Sequence, residues 1–114
     1  MIYFGFAIAD GMFPESVGVS RSPLRSDEVR RILGKEAVSF CLNPSHEPTI
    51  KAARQRFGLD VQVPAKAPNV FLKAGDSLIV MSVRDLPRLE GRHEYTEEEI
   101  EKASFKFGVW TVQD

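Results

Sequence analysis

The run Leu78-Ile79-Val80-Met81-Ser82-Val83 is the strongest strand signal in the chain. It follows the turn residues Ala74-Gly75-Asp76, which predict a hairpin with a short strand over residues 70–72. Residues 3–9 and 38–42 read as two further buried strands, the first stopped by Asp10-Gly11 and Pro14. Residues 17–20 and 59–63 are shorter β candidates, and the alternating segment 104–112 supplies a closing strand. Between them lie three helical stretches. Ser26 is a plausible N-cap for residues 27–33, with Asp27 and Glu28 in the first turn and Gly34 as a stop signal. The polar segment 43–48 turns the chain into a second helix that reaches Phe57 and ends at Gly58. Thr96 with Glu99 forms a capping box for a third helix through about Ala103. Strands interspersed with helices predict an α/β domain spanning residues 1–114: a mixed sheet of about five strands, its faces covered by short α-helices.

Composition narrows the function classes. A chain of 114 residues builds one hydrophobic core, so a large ligand site must be shallow or shared between subunits. Fifteen basic residues against sixteen acidic ones leave a net charge of -1, which gives no global attraction to duplex nucleic acid. Any nucleic-acid ligand must meet a local patch. Cys41 is the single cysteine, which rules out an intrachain disulfide and a cysteine-rich zinc site, and fits a reducing cytoplasm. The apolar start lacks a basic leader, and Asp10 interrupts it far short of a membrane span.

Two places could carry chemistry. His46 stands at the start of a helix that follows a buried strand, where amides and the helix dipole favour a phosphate, and the phosphate favours the imidazolium of a general acid. The same Ser45-His46-Glu47 segment would also serve as an ordinary helix cap. Arg88-Leu89-Glu90-Gly91 combines a phosphate fork, a carboxylate and a residue that permits close backbone approach, although a solvated turn reads the same way. Lys51, Arg54 and Arg56 suggest a basic helix face. Trp110 reads as an anchor of the sheet, with adenine stacking as its alternative, and His93 reads as a surface loop residue. Two histidines without regular spacing argue against a metal centre, and no cofactor motif is found.

In order, these segments resemble the viral ring nucleases known as type III anti-CRISPR proteins and their bacterial relatives. The resemblance spans nearly the whole chain. It runs through Tyr3-Phe4-Gly5-Phe6-Ala7-Ile8-Ala9, then Pro44-Ser45-His46-Glu47-Pro48-Thr49, then Gly75-Asp76, Arg88-Leu89-Glu90-Gly91 and Tyr95-Thr96-Glu97-Glu98-Glu99. Ser45 stands where the family has glycine, Phe6 and Ala9 replace polar residues of the first strand, and the turn lacks one residue between Leu89 and Glu90. The resemblance carries the family's catalytic histidine onto His46 and its functional arginine and glutamate onto Arg88 and Glu90. Arg84 is the rival for the arginine role, and Lys66 and Asn69 are the substitutes for an Asn-Arg pair after the second helix. Ser45, Glu47, Thr49, Gly91, Arg84 and Lys66 are then the expected substrate-binding residues.

The implied reaction is metal-independent cleavage of a cyclic oligoadenylate, with cyclic tetra-adenylate as the expected ring, to products ending in a 2′,3′-cyclic phosphate. The implied assembly is a homodimer with the site across its two-fold axis, which suits a four-fold pseudo-symmetric ring. Departures from the family pattern also admit a cyclic-nucleotide sponge. A small viral DNA-binding regulator is the third reading, opposed by the near-neutral charge and by the lack of a recognition-helix motif.

Overall fold

The computed structural model describes residues 1–66, 68–92 and 94–113. Its centre is a five-stranded mixed sheet in the order β2-β5-β4-β1-β3. The strands are β1 (Ile2–Gly5), β2 (Val19–Leu24), β3 (Val38–Phe40), β4 (Ser77–Arg84) and β5 (Ser104–Val112). β1 runs parallel to both β3 and β4, and β5 pairs antiparallel with β4 and β2. The helices are α1 (Ser26–Lys35), α2 (Glu47–Phe57) and α3 (Glu97–Lys102).

Each helix boundary has a local cause. Arg25, not the expected Ser26, holds the N-cap position of α1, with Glu28 accepting its amide, and the helix passes the expected stop at Gly34 to end at Lys35. α2 stops at Gly58, whose φ of 66° lies in the left-handed region that glycine enters without penalty. The Thr96 hydroxyl accepts the Glu99 amide while the Glu99 carboxylate accepts the Thr96 amide, so the expected capping box closes on α3.

The core lies between the sheet and α1 and α2. Phe4, Ile79, Met81 and Phe107 from the strands meet Val29, Ile50 and Ala53 from these helices. The opposite face carries no α-helix among the described residues, contrary to the expectation of helices over both faces. Segment 8–17, including a 3-10 turn at Asp10–Met12, and segment 70–72 cover part of it instead, around Leu78 and Val112. One helical layer suffices because these apolar loops bury Val70 and Leu72 against the sheet.

Two expected strands are absent. Residues 59–63 and 70–72 form no ladder, so no hairpin precedes β4, although the turn at 74–76 is present. Leu59, Val61, Val70 and Leu72 are nevertheless buried, so their apolar pattern reflects packing without strand pairing. The Val61 carbonyl accepts from the Arg54 guanidinium, and the Leu72 amide donates to Met12. The strand placed at 17–20 lies further on, at Val19–Leu24.

Candidate functional site

β1, β3 and β4 are parallel, so their carboxyl ends open on one edge of the sheet, the usual location of ligand sites in such sheets. β1 delivers Phe6 there, β3 delivers the segment 43–46, and β4 extends past the end of β1 through Ser82 to Arg84, paired there with β5. Buried Leu42 anchors the segment leaving β3, and the Asn43 side chain accepts the Ser45 amide to start a 3-10 turn at Pro44–His46. α2 follows directly, with His46 at its N-cap position.

His46 is exposed and its imidazole packs against the Phe6 ring, with centroids 5.3 Å apart. Together with Thr49, Met81, Ser82 and Val83 these two rings line a depression of about 390 Å³. The start of α2 offers few amides to a ligand. Ser45 donates to Asn43 Oδ1, His46 to the Asn43 carbonyl and Glu47 to the Pro44 carbonyl, while Pro48 has no N–H. Phosphate held beside His46 must therefore rely largely on side chains.

The other expected residues are dispersed. Thr49 shares the depression with His46. Ser45 is exposed on the same turn, and Glu47 pairs with Arg54 at 3.1 Å. Arg88, Glu90 and Gly91 lie on an exposed coil after β4 and line neither the His46 depression nor the adjoining sheet-face cleft. Within one chain the structure thus does not gather the expected His-Arg-Glu trio into a single depression. Gly91 does adopt a positive φ of 69°, and the chain leaves β4 through Asp85 at φ 67°, a conformation that aspartate tolerates better than branched residues. Lys66 and Asn69 are exposed on the 58–76 segment. Arg84 lines the sheet-face cleft, which shares Phe6 and Ser82 with the His46 depression. His93 lies outside the described residues.

The basic face suggested for α2 does not form, because its cations are committed to the fold. Lys51 pairs with Glu94, Arg54 holds the Val61 carbonyl and Glu47, and Arg56 donates to the Ile100 and Ala103 carbonyls at the end of α3. Cys41 is also structural. Its Sγ donates to the Phe4 carbonyl at 3.1 Å, burial pushes the thiol pKa up, and a Cβ on Gly5 would stand 2.9 Å from the sulfur. Among the described residues no group of three His, Cys, Asp or Glu side chains is placed to hold a metal ion, and no helix is long and apolar enough to cross a membrane.

No protein-family model and no curated protein matches the chain. Among solved structures, B116 of Sulfolobus turreted icosahedral virus is similar along almost its full length, with a TM-score of 0.71 over 96% of this chain and 97% of that one. The two sequences are 16% identical, so the likeness establishes a common fold.

Proposed function

We propose that the protein is a viral ring nuclease acting on cyclic oligoadenylate in the host cytoplasm. The observation that carries this reading is the exposed imidazole of His46, set against Phe6 where β1, β3 and β4 end. A viral origin is in keeping with the full-length fold likeness to a viral protein.

In the proposed reaction a ribose 2′-oxygen attacks the adjacent phosphorus, the bond to the 5′-oxygen breaks, and a 2′,3′-cyclic phosphate remains. His46 donates a proton to the departing 5′-oxygen. Glu90 accepts the 2′-hydroxyl proton, and Arg88 balances charge on the phosphate. Since these two residues lie outside the His46 depression of their own chain, the proposal includes a homodimer that brings the partner's equivalent coil to the edge where His46 stands.

The test is incubation with a panel of cyclic oligonucleotides in EDTA, followed by mass analysis of the products. Wild type should yield linear products ending in 2′,3′-cyclic phosphate. His46→Ala should slow single-turnover cleavage at least about 100-fold while keeping much of the affinity, because binding does not need the proton that His46 supplies. Equal cleavage by the variant at saturating ligand would remove His46 from the mechanism. Tight binding without cleavage by the wild type would make the protein a sponge.

A further inference from the structure

The sheet face opposite α1 and α2 changes character along its length. Around Leu78 and Val112 it is apolar and covered by loops, whereas beyond Val80 it opens into a cleft of about 330 Å³. Strand alternation and register decide what that cleft contains. Ser82 and Arg84 of β4 sit opposite Lys106 and Ser104 of β5, and Arg21 of β2 sits opposite Trp110. All of them line the cleft.

Gly108 shapes its floor. A Cβ at this position would meet three atoms of the Arg21 guanidinium, Nη2, Nε and Cζ, at 3.0, 3.2 and 3.3 Å. The Arg21 guanidinium thus occupies the space that a side chain at position 108 of β5 would need. A larger residue would push it away.

Arg21, Arg84 and Lys106 therefore converge on one open surface. Among the described residues, none of the three has an ion pair or a side-chain hydrogen bond, and the lining of the cleft includes no carboxylate; other cations without a partner, such as Arg31, Lys35 and Lys66, do not share a cleft with them. Three like charges lining one cleft without a carboxylate make it a favourable place for an anion from outside the chain. Trp110 beside them adds a π-face on which a base can stack.

We propose that this cleft binds the phosphodiester backbone of a short oligonucleotide, with phosphates on Arg21, Arg84 and Lys106 and a base against Trp110. The assignment rests on the preceding reading only for the class of ligand and does not require cleavage. The cleft is at the small end of ligand sites, so it holds part of the oligonucleotide. Phe6 and Ser82 border both the cleft and the His46 depression, which lets the remainder run on to His46.

Trp110 is the single tryptophan, so its emission reports on this cleft alone. The full chain carrying His46→Ala, to suppress turnover, should be titrated with cyclic tetra-adenylate, linear tetra-adenylate and inorganic pyrophosphate. Both oligonucleotides should change the emission saturably. Arg21→Ala and Lys106→Ala should each raise Kd about tenfold, the ordinary worth of a charge-assisted hydrogen bond, and each should lower the salt dependence of binding by about one ion. Gly108→Ala should raise Kd less, since it shifts the guanidinium and keeps the charge. Unchanged affinity in the Arg21→Ala/Lys106→Ala double variant would overturn the proposal. So would pyrophosphate binding as tightly as the oligonucleotides, or a double variant that alters only self-association. The two readings separate in the His46-intact protein. Cleavage with KM unmoved by the double variant sinks the cleft and spares the nuclease, whereas oligonucleotide bound through the cleft and never cut does the reverse.

Discussion

The two faces of the sheet use the same residue types for opposite ends. On α2, which covers one face, the cations are tied into the fold: Arg54 and Arg56 satisfy backbone carbonyls, and Arg56 also lies near the rings of Phe57 and Phe105. On the open face, the exposed side chains of Arg21, Arg84 and Lys106, from β2, β4 and β5, line one cleft. The difference teaches that basic residues on a helix next to a candidate site are poor guides to ligand contact. What matters is whether the backbone and carboxylates nearby have already taken their donors.

The largest expected effect falls on the covered face. Phe4 is fully buried between β1 and the helices, and Phe4→Ala should cost about 3–5 kcal/mol by removing transfer energy and leaving a cavity. Urea denaturation measures this. A loss below about 1 kcal/mol would mean that this face is not the main core.

Next in size is Arg56→Ala. It strips donors from the Ile100 and Ala103 carbonyls and removes cation–π contacts with Phe57 and Phe105, so a loss of about 1.5–3 kcal/mol is expected. Arg56→Lys should recover only part, because one ammonium cannot reproduce a planar fork lying near two rings. Full recovery with lysine would reduce the role of Arg56 to charge alone.

These contrasts bear on what a reader of the sequence can extract. The capping box at Thr96 and Glu99, the stop at Gly58 and the strands at β4 and β5 were legible because each depends on residues within a few positions. Segments 59–63 and 70–72 carry a strand-like pattern without forming strands, because burial and not pairing accounts for their valines and leucines. His46 was legible as the residue after a strand and before a helix. The open cleft has a weaker trace in the sequence: Ser82 and Arg84, then Ser104, Lys106, Gly108 and Trp110, recur at alternate positions of two strands. Only the register of Arg21 against Trp110 joins β2 to that pattern, and register is a long-range property.

A smaller effect sits at the cap of α3, among pairs that are exposed. The Glu99 carboxyl is held down to about 2, first by the bidentate Arg92 guanidinium at 2.6 Å and then by the Thr96 amide. A carboxyl whose folded pKa lies below its unfolded value stabilises the fold above about pH 4.5, and that contribution fades as pH falls toward 2. Arg92→Ala should therefore lower Tm at neutral pH, and the gap to wild type should close on acidification. Solvent screening keeps it modest. A gap that persists unchanged at about pH 2 would assign the effect to packing and not to charge.

The smallest expected change in stability belongs to the open face, and its sign is the informative part. Lys106 stands beside Arg21 and Arg84 in the cleft without a described ion pair, so in the free protein the three cations repel one another. Lys106→Ala should shift stability by no more than about 0.5 kcal/mol, and toward greater stability at low salt, since it relieves repulsion and breaks no described hydrogen bond. Added salt should erase the gain, because exposed charges are screened within about 10 Å at 0.1 M. Tm measured for wild type and variant at low and high salt, with a charge-preserving Lys106→Arg alongside, resolves these contributions. A loss above about 1 kcal/mol at either salt would make Lys106 a structural residue like Arg56, and the contrast between the two faces would fail. A gain at low salt that disappears as salt rises would instead mean that the fold tolerates a destabilising cluster on this surface, the usual mark of side chains kept for a ligand at some expense to the free protein.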